Sequence, residues 1–163
     1  MAILLEPWFA DRTKSLVKSP KVYLADTGLA CFLLGIDTPA QLLASPLLGP
    51  LWETFVFAEL RKRTTFARGT WDGLWFWRDA RGLEVDFLVH RGGRYELLEA
   101  KVSEHPREGD AAALDKVAAA LGGPERITRA QILCRTPAPY RFTSRAGLRV
   151  EATPVAAWTV DGS

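Results

Sequence analysis

The residues able to do chemistry together lie in two runs separated by a glycine turn, GLEVDFLVH (82–90) and YELLEAKV (95–102). The first alternates Leu83, Val85, Phe87, Val89 against Glu84, Asp86, Leu88, His90, the period of a β-strand. RGGR between the runs reads as a tight hairpin turn. Centring that turn on Gly92-Gly93 pairs residues whose numbers add to 185, as 92 and 93 do. Asp86 then faces Glu99 and Glu84 faces Lys101, while Val85–Ala100, Phe87–Leu98 and Leu83–Val102 fill the other face. A slip of one residue spoils both faces at once. Two carboxylates directly opposite, with Cβ atoms about 4.5–5.5 Å apart, repel each other. A proton, the Lys101 ammonium or a divalent cation can offset them. Two carboxylates with waters suit Mg²⁺, and a lysine beside such an ion can help activate water against a phosphoryl group. The same residues also fit an exposed sheet face tied by ion pairs, Glu84 to Lys101 among them.

Other chemistries are excluded or thinly supported. His90 and His105 have no partner at metal-ligand spacing and no GxSxG serine to serve. No GxxxxGK[ST] phosphate loop occurs, and no GxGxxG follows a strand. Cys31 and Cys134 stand far apart in apolar contexts, as buried thiols of a reducing cytosol do. Catalysis in this chain therefore has carboxylates, lysine and arginine to work with. The 163 residues are 48% hydrophobic and 25% charged with a formal net charge of +2, a soluble composition that neither announces nor excludes a nucleic-acid partner. No apolar run approaches the roughly 20 residues of a membrane span. The opening MAILLEPWFADR is broken by Glu6 and Pro7 and lacks a basic leader, unlike a signal peptide. The expected location is cytoplasmic, without a membrane partner.

These strands need elements to hold them. Residues 1–25 read as irregular, with Pro7, Pro20 and a basic stretch (Arg12, Lys14, Lys18, Lys21) around the short extended piece KVYLA. Asp26 or Thr27 caps a short helix, GLACFLL, and Thr38-Pro39 opens another, PAQLLA. Gly49-Pro50 opens the strongest helix, LWETFVFAELRKR, with Trp52, Phe55, Val56 and Leu60 at helical spacing. GLWFWRD (73–79) is β-prone, EGDAAALDKVAAAL (108–121) is helical, and AQILCR (130–135) and LRVEATPV are strands. The order helix, three antiparallel strands, helix, strand predicts an α/β fold around a mixed sheet. Residues 1–48 form a connecting and helical segment, and 49–163 form the α/β domain.

GLEVDFLV (82–89) followed by ELLEAKVS (96–103) resembles the split carboxylate–lysine motif of the PD-(D/E)XK nuclease superfamily. The resemblance implies a restriction-endonuclease-like core, with Asp86 and Glu99 as metal ligands and Lys101 orienting the attacking water. It also implies a helix acid, for which GPLWETFVFAEL (49–60) supplies Glu53, reaching the metal directly or through water. Four blocks, KSPKVYLADTGLACFLLG (18–35), GPLWETFVFAELRKR (49–63), WFWRDARGLEVDFLV (75–89) and LLEAKVS (97–103), together resemble one uncharacterised domain. That domain forms the C-terminal part of many prokaryotic AAA-type ATPases, and the resemblance covers residues 3 to about 135. It implies an ATPase domain missing from this chain as partner, with LLEPWF as the tail of the connection. The implied activity is Mg²⁺- or Mn²⁺-dependent endonucleolytic hydrolysis of DNA, and the alternative is a non-catalytic regulatory or docking module of that ATPase. EAK stands where many relatives have EVK, at a residue facing the core.

Several residues compete for these roles. Glu53 shares a helical face with Val56, Phe57 and Leu60, whereas Glu59 lies about 120° away as a solvated carboxylate. Glu84 is a site neighbour of Lys101 or its surface ion-pair partner. Arg78 and Arg81 read as turn arginines, His90 as a solvent histidine, and Trp71, Trp75 and Trp77 as core aromatics in preference to base-stacking ones. Between Glu125 and Glu151 stand six arginines (126, 129, 135, 141, 145, 149) and no acid. They suit a DNA backbone without sequence preference, or a solvated sheet edge.

Overall fold

The computed structural model describes residues 1–8 and 19–160. In chain order these form β1 (Ala2–Leu5), β2 (Lys21–Leu24), α1 (Thr27–Leu33), α2 (Pro39–Ala44) and α3 (Leu48–Arg68). There follow β3 (Leu74–Arg78), β4 (Glu84–Arg91), β5 (Arg94–Ala100), α4 (Ala112–Ala120), β6 (Ile127–Cys134), β7 (Tyr140–Thr143) and β8 (Arg149–Pro154). Six strands make one mixed sheet in the order β3-β4-β5-β6-β8-β7. β3, β4 and β5 run antiparallel, β6 joins β5 and β8 in parallel, and β7 closes the far edge antiparallel to β8. The predicted order of helix, three strands, helix, strand is present within this mixed α/β architecture.

The hairpin register is the expected one only as far as Phe87–Leu98; the expected pairs Asp86–Glu99, Val85–Ala100, Glu84–Lys101 and Leu83–Val102 do not form. Gly92 and Gly93 have φ of 54° and 77°, the left-handed pair that a two-residue hairpin turn requires. From Arg91–Arg94 to Phe87–Leu98, every paired set adds to 185. Beyond Phe87 the two strands part: β5 stays with β6 as far as Ala100, and β4 stays with β3 as far as Glu84. A bulge accompanies the split, for Trp75 faces Leu88 while Trp77 faces Val85, giving β4 one extra residue over that span. The simple alternation read from 83–90 therefore fails. Val85 and Leu88 pack on the α4 side with Leu114 and Val117, whereas Phe87 and Val89 pack on the α3 side with Val56, Phe57 and Leu60. The sheet has a helix on each face, so Leu88 is wholly buried instead of lying on a solvated face.

Three other expectations are corrected. The extended piece KVYLA contains β2, but the rest of the segment is not all irregular: β1 pairs with β2 as a two-stranded antiparallel sheet, Leu5 with Lys21 and Ile3 with Tyr23. It is tied to the main sheet where the Trp8 N–H donates to the Phe76 carbonyl at 2.7 Å and the Phe76 N–H donates to the Glu6 carbonyl at 3.2 Å. Arg12, Lys14 and Lys18 lie outside the described residues. α3 continues to Arg68 and stops at Gly69, whose φ of 74° makes it a left-handed cap. β7 was not anticipated, because YRFT is short and ends at the sheet edge. Cys134 is buried and Cys31 is partly exposed, both as free thiols. Among the described residues no helix is long and apolar enough to cross a membrane.

Phe57 joins α3 to both sheets. Its ring stacks on Tyr23 at 4.2 Å and on Phe87 at 6.3 Å, and it has no exposed surface. Phe57→Ala should cost about 3–5 kcal/mol in urea unfolding. Phe66→Ala, on the same helix but 96% exposed, should stay within about 0.5 kcal/mol of wild type.

Candidate active site

The site forms where β4 and β5 part. Once the ladder ends, the Ala100 N–H on the β4 side has no backbone acceptor, and Asp86 Oδ2 accepts from it at 3.0 Å. Asp86 Oδ1 accepts from Lys21 Nζ at 3.2 Å. Lys21 also donates to Glu53 Oε1 at 2.7 Å and pairs with Glu84. The Tyr23 hydroxyl donates to the same Glu53 oxygen at 2.5 Å, and Arg78 donates to the far oxygen of Glu84. Glu53, Glu84 and Asp86 each place one carboxylate oxygen within 4.8 Å of the others. On the neighbouring strand, Lys101 Nζ stands 2.9 Å from Glu99 Oε1. Glu99 Oε2 is buried and has no hydrogen-bond partner. A depression of about 230 Å³, lined by Lys21, Tyr23, Pro50, Glu53 and Thr54, opens onto the Lys21 side.

Electrostatics follow from this crowding. Burial pushes the Glu99 carboxyl up, the Asp86 charge pushes the same way, and Lys101 with the Asp86 N–H only partly opposes them, leaving it at about 7. Asp86 is also raised, by burial and then by the Glu53 charge, against the pull of Lys21 and the Ala100 N–H. Glu84 behaves differently: burial opposes its ionisation, but Arg78 and Lys21 hold it below the usual carboxylate range. For Lys21, burial disfavours the ammonium, and the Asp86 and Glu53 charges more than compensate, so it stays protonated. Lys101 is raised too, with Glu99 outweighing its burial. One set of acids thus shares a lysine, and one acid beside it keeps an oxygen without a hydrogen-bond partner.

The residues singled out from sequence are placed as follows. Glu53 and Asp86 meet through Lys21, and Glu99 with Lys101 stands next to Asp86, close enough for their charges to interact. Glu84 does not reach Lys101; the bulge in β4 turns it to Lys21 and Arg78. Glu59 lies off the site, paired with Lys62 and with Arg63 at 3.6 Å. Arg78 is a site residue instead of a plain turn arginine, while Arg81 is exposed. His90 is no solvent histidine: its ring lies 4.4 Å from Trp8 and 4.9 Å from Tyr95, and burial with Arg126 nearby lowers its pKa. Trp71 packs edge-on to Phe57 and Trp75 edge-on to Trp8. Lys21 and Tyr23 were missed. Their signal is an inverted alternation in KVYL, where Lys21 and Tyr23 turn inward while Val22 and Leu24 face out.

The arginine-rich stretch is largely spoken for. Arg126 bonds the Gly93 and Leu121 carbonyls, Arg135 pairs with Glu104, and Arg141 pairs with Glu151. Arg129 bonds the Thr159 carbonyl and stands 3.7 Å from Glu96. Arg145 and Arg149 are exposed. A groove of about 570 Å³ lined by Arg129, Gln131, Arg141, Arg149 and Glu151 opens on this side and shares no residue with the carboxylate site.

Residues 48–158 match the profile described as Domain of unknown function (DUF4143). The chain belongs to the DUF4143 family. A second profile, Domain of unknown function (DUF8612), matches residues 1–40. The carboxylates and Lys101 thus lie within the DUF4143 match, whereas Lys21 and Tyr23 come from the other. The chain is similar to the uncharacterized protein Mb2031c of Mycobacterium bovis and to the uncharacterized protein Rv2008c of Mycobacterium tuberculosis, in each case 39% identical over 102 residues. That alignment takes in 63% of this chain and 22% of each relative, so the match spans about a fifth of their length. No solved structure matches.

A divalent cation fits one part of this DUF4143 site. Glu99 Oε2, buried and unpartnered beside Asp86, is an oxygen that such an ion would satisfy. The pH dependence of stability reads out the same feature. Without metal, the unfolded chain releases the Glu99 proton near 4.5 while the folded chain keeps it to about 7. Glu99 therefore weakens the fold progressively as pH rises through that window, and the penalty persists above it. In EDTA, Glu99→Gln should gain stability over wild type by an amount that grows from pH 4.5 to 7, on the order of 1–3 kcal/mol. Urea melts across that range measure it, and a difference that does not change with pH contradicts the assignment.

Proposed function

We propose that this chain is a metal-dependent nuclease-like domain with a PD-(D/E)XK core, hydrolysing DNA phosphodiester bonds, and that in longer relatives it works beside an AAA-type ATPase domain. The observation that carries the reading is the buried, unpartnered Glu99 Oε2 next to Asp86, with Lys101 on the other Glu99 oxygen. Asp86 and Glu99 would hold Mg²⁺ or Mn²⁺, which supplies Lewis acidity and an acidified water when bound. Lys101, held by Glu99, is placed to orient the water or stabilise charge on the phosphoryl group. Glu53 acts from the outer layer, fixing Lys21 and Tyr23, and so keeps Asp86 in place from the opposite side. The exposed Arg145 and Arg149 suit phosphate contacts without base reading.

The second reading is a non-catalytic docking module of the ATPase, and a specific observation favours it. α1 and α2 expose Phe32 (72%), Leu33 (69%) and Leu43 (54%), apolar surface of the kind that meets a partner. Incubation with supercoiled plasmid and Mn²⁺ separates the two. Nuclease action predicts metal-dependent nicking that drops by about 100-fold or more in Lys101→Ala and in Asp86→Asn. Nicking that survives in both variants marks a contaminant, and no nicking by freshly folded wild type leaves the docking module standing.

A further inference from the structure

Four carboxylates meet around the split strands, enough to suggest two ions sharing Asp86. Two-ion sites set their metals about 3.5–4 Å apart across a common ligand. Here the Glu53, Glu84 and Asp86 oxygens already surround one cation, the Lys21 ammonium. That ammonium is built in. Lys21 sits on β2 in register with Leu5, its side chain is 11% exposed, and Nζ lies 5.5 Å from the centre of the Phe76 ring. Its partners are held as well, Glu53 by the Tyr23 hydroxyl and Glu84 by Arg78. Lys21 and Arg78 leave these three carboxylates with a net charge of about −1, which offers a second divalent ion little attraction. The Glu99 side has the opposite character, with an oxygen left over.

We infer that Lys21 sets the metal count of this site: its ammonium is the permanent cation of the Glu53–Glu84–Asp86 cluster, and one divalent ion, on the Asp86–Glu99 side, is all the site takes. This rests on the metal-dependent reading above and deepens it. Lys21 is a positioning residue, supplied by the segment outside the DUF4143 match, that stands in for a second metal. Removing its charge leaves three crowded carboxylates facing one arginine, and a divalent cation then has reason to enter.

The test is the number of Mn²⁺ ions bound per chain, read by isothermal titration and by the free-Mn²⁺ electron paramagnetic resonance signal, without substrate. Wild type and Lys21→Arg should each bind one ion. Lys21→Gln should bind two, and the double variant Lys21→Gln/Glu84→Gln should return to one. Two ions on wild type, or one on a folded Lys21→Gln, overturns the inference while leaving the metal reading intact. No Mn²⁺ on wild type with one on Lys21→Gln also overturns it, because the lysine then excludes metal outright. No binding by any variant sinks the metal reading itself and the inference with it. Should Lys21→Gln fail to fold by circular dichroism, the counts on wild type and Lys21→Arg decide: two ions on wild type, or any number other than one on Lys21→Arg, overturns the inference.

Discussion

Carboxylates crowded into a half-buried corner repel each other, and the architecture around the split strands answers that constraint. Burying an unpaired charge costs several kcal/mol, so each acid needs a donor or a proton. Lys21 answers for three of them, Arg78 adds to Glu84, and the Ala100 N–H takes the second oxygen of Asp86. Glu99 keeps one oxygen without a hydrogen-bond partner, and burial with the Asp86 charge raises its proton affinity. An acceptor kept buried and unpaired, as Glu99 Oε2 is, has room for a proton, a water or an ion.

That requirement explains why a four-residue strand pair docks against the main sheet. Among the described residues, β1 and β2 share little backbone hydrogen bonding with the rest beyond the contacts at Pro7, Trp8 and Phe76. What binds them is Leu5 and Tyr23 in the core, with Tyr23 stacked on Phe57, together with Lys21 inside the carboxylate ring. The site therefore draws on residues inside and outside the DUF4143 match. One segment contributes the cation and the hydroxyl, and the other contributes the acids and Lys101. Neither segment holds a balanced set of charges alone.

What was legible in the sequence tracks what is local. The hairpin register followed from a two-glycine turn and a period of two, and it holds over every paired residue from Phe87 to Leu98. Glu53 was separable from Glu59 because a helix fixes which residues share a face. The bulge at 85–88 left one local trace, the apolar Leu88 in an otherwise polar row, and the partners of Glu84 do not follow from simple alternation. Lys21 was out of reach for another reason: its partners lie 32 and 65 residues away, and it stands among Arg12, Lys14 and Lys18 as one more residue of a basic stretch. Only the outward Val22 and Leu24 flanking the inward Tyr23 signalled that the polar side of this strand faces the protein.

Whether the remainder at Glu99 is a metal site is settled most directly by anomalous diffraction from crystals grown in Mn²⁺, with data collected on the manganese side of its absorption edge. The account predicts one anomalous peak, bonded to Asp86 and Glu99, with the Lys21 ammonium still seated among Glu53, Glu84 and Asp86. A map with no peak at Glu99, or with manganese in the place of the Lys21 ammonium, would contradict it.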